Sequence, residues 1–208
     1  KRGKKLSEGA AAFLRLAGAD AEILEGGSEA WTAAGLPMVP VERIPGSSFA
    51  GNTLWVTRSR PKIDRIACPW LIRRFVDPSA RFLFVNAAEV PAVAEKFGAT
   101  PFDIDGTFWS HRGETCTFDT MIEEFRLDIP ALKRLAEIVR AADTDRLDLA
   151  PQAAGLLAVS LGLSRMHNSD LAQLEDGMLL YDAFYRWARD ATEERHTWEA
   201  HAPKRDRA

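Results

Sequence analysis

Residues 58–75, Arg58-Ser59-Arg60-Pro61-Lys62-Ile63-Asp64-Arg65-Ile66-Ala67-Cys68-Pro69-Trp70-Leu71-Ile72-Arg73-Arg74-Phe75, restrict the possible folds more than any other stretch of the chain. On a helical wheel Ile63, Ile66, Ala67 and Trp70 share one face, and Leu71, Ile72 and Phe75 cover most of the remainder. A helix that is apolar nearly all round is buried. It nevertheless carries Asp64, Arg65, Arg73 and Arg74, with Arg74 amid the Ile63–Trp70 face, and buried charges are costly unless partnered. Pro69 removes one helical hydrogen bond and frees the carbonyl of Arg65. The helix therefore kinks there, or restarts with Cys68 as its cap and Pro69 as its first residue. A restart would set Cys68 at a positive helix end beside arginines, which lowers a thiol pKa.

Two readings of these arginines stay open. They are structural, with Asp64, Asp103, Asp105, Asp119 or Asp143 as counter-charges. Alternatively, Arg58, Arg65, Arg73 and Arg74 line a pocket for a small oxyanion with Cys68 alongside, since planar guanidinium forks match oxyanion geometry better than lysine does.

Around this stretch the chain reads as two units. In the first, Ser7 caps a helix over 7–18, residues 21–24 form a short strand, Gly26-Gly27 turns the chain, and Ser28 opens a second short helix through Trp31. This α/β piece covers 1–40. Residues 41–52, rich in Pro, Gly and Ser, read as a linker. The second unit, 53–192, is expected to be α+β and mainly helical. It holds strands at 54–57 and 81–85, shorter candidates at 102–104 and 107–110, and helices over 61–76, 87–97, 117–125 and 130–142. A helix opened by Pro151 follows, then a last long one capped by Ser169, giving a small sheet followed by several C-terminal helices. Residues 193–208 lose the apolar face and read as a polar tail.

Composition narrows the function classes. The formal net charge of -3 gives no overall basic field, so DNA binding is not expected of this chain. No apolar run approaches the ~18 residues that a membrane span needs, and no secretory segment is visible. A cytoplasmic protein with no membrane partner is the expectation, and a homo-oligomer is compatible with it. Two cysteines, Cys68 and Cys116, are too few for a disulfide framework.

A second group of polar residues runs Trp109-Ser110-His111-Arg112-Gly113-Glu114-Thr115-Cys116-Thr117-Phe118-Asp119 from a strand through a turn into a helix. Asp119 and Glu123 lie four apart, on one helix face, as do Asp64 and Cys68. If the two helix starts converge, His111, Asp119, Glu123 and Asp64 could hold a divalent transition metal, although their spacing matches no tight zinc signature.

Two family resemblances follow from longer strings. Residues 1–7, Lys1-Arg2-Gly3-Lys4-Lys5-Leu6-Ser7, followed by a helix, resemble the end of a rhodanese active-site loop, with Gly3, Lys4, Lys5 and Ser7 as its remnant. Leu24-Glu25-Gly26-Gly27-Ser28-Glu29-Ala30-Trp31 and Ala34-Gly35-Leu36-Pro37 resemble that family's closing pattern. The resemblance places the catalytic cysteine one position before Lys1, so sulfur transfer is not expected of the chain as given.

The strings Trp55-Val56-Thr57-Arg58, 60–75, Pro101-Phe102-Asp103-Ile104, Cys116-Thr117-Phe118-Asp119, Ala142-Asp143-Thr144-Asp145-Arg146 and Gly177-Met178-Leu179-Leu180-Tyr181-Asp182-Ala183 together resemble the C-terminal domain of the chromate-resistance ChrB family. That resemblance implies a chromate-responsive role. The DNA-binding segment that precedes this domain in such regulators is replaced here by the rhodanese-like piece, so DNA binding does not carry over. Three functions follow as expectations. The first is binding or sensing of an oxyanion such as chromate or sulfate. The second is metal-assisted catalysis by His111, Asp119 and Glu123, and the third is a non-catalytic assembly role.

Overall fold

The computed structural model describes residues 4–46 and 52–194. The described residues form a mixed α/β protein, mostly helical, around one three-stranded parallel sheet. Helices α1 (Lys4–Leu16) and α2 (Gly27–Ala33) come first. The second unit then alternates β1 (Leu54–Arg58), α3 (Asp64–Phe75), β2 (Arg81–Val85), α4 (Val90–Phe97) and β3 (Thr100–Pro101), and closes with α5 (Thr117–Glu124), α6 (Pro130–Asp143), α7 (Ala153–Met166) and α8 (Asp170–Asp190).

Strand order is β2-β1-β3, with Trp55 opposite Phe82 and Val56 opposite Leu83. Alternation along β1 divides the core. Trp55 joins Phe82, Phe102 and the α3 residues Ile66, Ala67, Trp70 and Leu71 on one face, while Val56 joins Val90, Val93 and Ala94 of α4 on the other. Both faces of β1 are covered, as parallel strands require. Helices α5 to α8 thicken the α3 side only.

Trp70 is the hub of that side. Fully buried, it lies 5.5–6.3 Å from the rings of Phe75, Phe118, Tyr181 and Tyr185, and its indole N–H donates to Asp182 at 2.7 Å. Asp77 pins the two longest strands together: its Oδ2 accepts from Thr53 N and Oγ1 at 2.7 and 2.6 Å.

Gly177 lets α3 and α8 approach closely. A Cβ there would lie 2.6 Å from Ile66 Cγ2, inside the core. Gly177→Ala is therefore expected to destabilise by about 1–3 kcal/mol, overpacking outweighing the roughly 1 kcal/mol of helix propensity that alanine adds. Urea unfolding would read it.

Several expected elements differ. Helix α1 begins at Lys4, so Ser7 lies within it rather than capping it, and Lys4, Lys5 and Ser7 belong to a helix rather than a loop. Gly3 lies outside the described residues. Residues 21–24 are not a strand: no described segment pairs with them, and Ile23 and Leu24 are exposed. The 102–110 region forms a single bridge between Phe102 and Trp109 rather than two strands, because the backbone turns at Asp103 and Gly106, both at positive φ. Helix α3 runs through Pro69 without restarting, which places Cys68 mid-helix. Arg43, in the segment read as a linker, pairs with Glu124 at 3.1 Å and lies over the Phe108 ring. Of the tail, residues 195–208 lie outside the described residues. No described helix is long and apolar enough to cross a membrane.

Candidate functional site

The strand order sends the β1–β2 and β2–β3 connections to opposite sides of β1. In open parallel sheets a crevice forms at the carboxyl ends of such strands, and ligands bind there. Here charged groups from distant segments converge beside the carboxyl ends of β1 and β3.

Asp64 enters from the first turn of α3. The turn before it is strained: Arg60 has φ 55 and Ile63, a β-branched residue, has φ 41. Helix α8 holds it in place, since Gln173 Nε2 donates to Pro61 O at 2.5 Å and Tyr181 Oη to Ile63 O at 3.0 Å. The Asp64 carboxylate is wholly buried. Its Oδ2 accepts from the Thr117 N–H at the start of α5, at 2.6 Å, while its Oδ1 accepts nothing.

Asp103 follows β3. Its Oδ2 accepts from Arg58 Nη2 at 3.0 Å and pairs with Arg65 Nε at 3.3 Å, and its Oδ1 accepts from Thr117 Oγ1 at 3.1 Å. Asp143 ends α6, at the pole of the helix where negative charge is disfavoured. His111 comes from the loop before α5, fixed on both sides: before it, Trp109 O accepts from Asp103 N and Ser110 O from Thr120 Oγ1, and after it Arg112 N donates to Thr115 O. Its Nε2 lies 3.2 Å from Asp143 Oδ2, 3.4 Å from Asp103 Oδ1 and 3.5 Å from Asp64 Oδ2.

The electrostatics follow from this crowding. Burial, with Asp143 and Asp103 adding to it, pushes the Asp64 carboxyl well above the usual range. Burial acts the same way on Asp103, but hydrogen bonds from His111 and Arg58 outweigh it and hold that carboxyl low. His111, hydrogen-bonded to Asp103 and Asp143, is raised to about 10.

The arginines occupy two separate places. Arg58 and Arg65 both turn to Asp103. Arg73 pairs with Glu175 at 2.7 Å and lies over Phe82, and Arg74 forks onto Asp182 at 2.8 and 2.6 Å. The four therefore do not share one cavity. Cys68 is sealed in the core, and burial, reinforced by Asp64, pushes its thiol well up rather than down. Of the metal set, only Asp64 and His111 come together. Asp119 caps α5 through Cys116 N at 3.0 Å and pairs with Arg140 at 3.1 Å, and the Glu123 side chain stays 77% exposed. Asp143 takes their place beside the imidazole; the sequence reading held it only as a counter-charge.

The family model of the ChrB C-terminal domain matches residues 55–188, which include every group of this centre. The chain belongs to the ChrB C-terminal domain family. Protein ChrB of Cupriavidus metallidurans is 34% identical over 133 residues, covering 63% of this chain and 39% of that protein. The chain thus spans well under half of that relative's length. No solved structure gives a significant match. Helices α1 and α2 precede the matched span, so the ChrB-type domain is the part to which the family assignment applies.

Proposed function

We propose that this chain is the ligand-responsive part of a chromate-resistance protein, and that its ChrB-type domain takes up a small tetrahedral oxyanion such as chromate or sulfate. The supporting observation is a hollow of about 460 Å³ lined by Arg73, Arg74, Ser79, Arg81, Glu175 and Met178. Arg73 and Arg74 reach it already paired with Glu175 and Asp182, but the Arg81 guanidinium has no partner among the described residues. An incoming oxyanion would meet the one positive charge left over when three arginines face two carboxylates, and fork-shaped donors to bind it. Arg58, Arg65 and Cys68 do not serve this reading: the first two are held by Asp103 and the third is inaccessible. Fusion to a rhodanese-like unit stays part of the proposal for the N-terminal segment, on the strength of its sequence pattern alone.

Thermal denaturation tests it. At ten times the dissociation constant, chromate or sulfate is expected to stabilise the chain by about 1.4 kcal/mol, while sodium chloride at equal ionic strength does not. Arg81→Ala breaks no ion pair and is expected to fold normally yet lose that shift. An equal shift in the variant would refute the assignment.

A further inference from the structure

A different centre, on the opposite end of α3 from the arginine hollow, carries an inference independent of the oxyanion reading. We propose that Asp64, His111 and Asp143 form a mononuclear site for a divalent first-row transition-metal ion.

Geometry is the first support. One donor atom from each of the three side chains can be chosen so that all lie within 4.8 Å of one another. His111 Nε2 is 3.2 Å from Asp143 Oδ2 and 3.5 Å from Asp64 Oδ2. An ion about 2.1 Å from nitrogen and oxygen donors sets neighbouring donors roughly 3.0–3.4 Å apart. The observed separations fall at that scale with little adjustment.

The second support is independent of the clustering. Asp64 Oδ1 is fully buried and has no hydrogen-bond partner, whereas Oδ2 is satisfied by the Thr117 N–H. An orphaned carboxylate oxygen in the interior costs on the order of 1–3 kcal/mol, and more when charged. Among the described residues no hydrogen-bond donor reaches Oδ1, and a cation held by this carboxylate would offset that cost.

The third support is the way charge is apportioned. Asp103 is already matched by Arg58, Arg65 and Thr117 Oγ1 and serves to hold the surroundings. Among the described residues neither Asp64 nor Asp143 forms an ion pair with an arginine or lysine, and Asp143 sits at the negative pole of α6. Acidic groups gathered around a single imidazole, beside a strained turn at Ile63, mark a place where stability has been given up to a ligand.

The donor set indicates the class of ion. One imidazole nitrogen and two carboxylate oxygens, with no thiolate, suit Zn²⁺, Mn²⁺, Fe²⁺, Co²⁺ or Ni²⁺ rather than a soft monovalent ion. Cys116, whose Sγ lies 3.3 Å from Asp119 Oδ2, is not one of the three clustered donors. With 38% of the His111 side chain and 18% of Asp143 exposed, the ion would face solvent on one side and keep room for water or a small ligand. A site of that kind is open rather than purely structural.

The competing arrangement is a purely structural network in which the imidazolium of His111 satisfies its carboxylates. The two predict opposite results for Asp64→Asn. In a structural network, losing the charge weakens the fold. In a metal site, asparagine keeps an oxygen for Thr117 N–H and relieves the crowding of carboxylates, so the metal-free protein melts higher while ion binding is lost.

The experiment uses the full chain stripped with a chelator and titrated with Co²⁺, read by visible absorbance, with Zn²⁺ and Mn²⁺ as competitors. One equivalent is expected to bind, with a dissociation constant raised at least ~100-fold in Asp143→Asn and His111→Gln. Asp64→Asn is expected to abolish binding and raise the melting temperature of the stripped chain. Absence of stoichiometric binding, unchanged affinity in Asp143→Asn, or a lower melting temperature for Asp64→Asn would each overturn the proposal.

Discussion

Asp103→Ala is expected to cost the protein about 3–5 kcal/mol, the scale seen when one partner of a buried ion pair is removed. The carboxylate is 5% exposed and gathers Arg58, Arg65, the Thr117 hydroxyl and His111 around two oxygens. Alanine would leave the partly buried Arg65 guanidinium without its carboxylate, and the carboxyl ends of β1 and β3 without the group that joins them. A native domain holds only about 5–15 kcal/mol in total, so guanidinium chloride melts would show a clear shift in midpoint. The effect has a pH signature. His111 and Arg58 hold the Asp103 carboxyl below its unfolded value despite burial, so its contribution is complete above about pH 3.9 and is lost as the pH falls through the folded value. In Asp103→Ala that part of the acid-induced loss should be missing.

Trp70→Ala is expected to be of similar size, about 3–5 kcal/mol, but to arise from packing instead. The indole touches four aromatic rings from α3, α5 and α8, with no solvent exposure. Removing it opens a cavity at the junction of three helices and takes a donor from Asp182, whose carboxylate also holds Arg74. Each 1.4 kcal/mol is a factor of ten in an equilibrium constant, so the unfolded fraction should rise a hundredfold or more. Trp70→Phe keeps much of the volume and loses the N–H, so it should cost markedly less. A Trp70→Phe effect equal to that of alanine would mean that the hydrogen bond, not the ring, carries the stabilisation.

Much of the fold was legible because its elements follow simple periods. The short apolar runs Leu54-Trp55-Val56-Thr57 and Arg81–Val85 marked β1 and β2, and the Ser169 cap, whose hydroxyl accepts from Ala172 N at 3.4 Å, marked the start of α8. Elements set by tertiary pairing were not legible. Residues 21–24 have strand-like composition but no described neighbour to complete a ladder. Thr100–Pro101 is a strand only because β1 lies beside it.

The site divides in the same way. Asp64 and His111 stood out, one as a charge in an apolar helix and the other as a histidine before a helix start. Asp143 did not, because 79 positions separate it from Asp64 and no local spacing links the two. The i,i+4 pairing of Asp119 with Glu123 drew attention to the wrong face of α5, since Asp119 turns back to cap its own helix. Likewise Pro69 suggested a helix start at Cys68. Helix α3 absorbs that proline, because packing on all sides outweighs one lost backbone bond.

His111 reaches carboxylates borne by the entry to one helix, the exit of another and the turn beyond a strand, segments that the polypeptide visits far apart in sequence. One imidazole thus ties together three segments that are remote from one another along the chain. A partial opening of the domain at this point would have to release all of them together, so the crevice should exchange its amide protons with the whole domain and not as a loose flap.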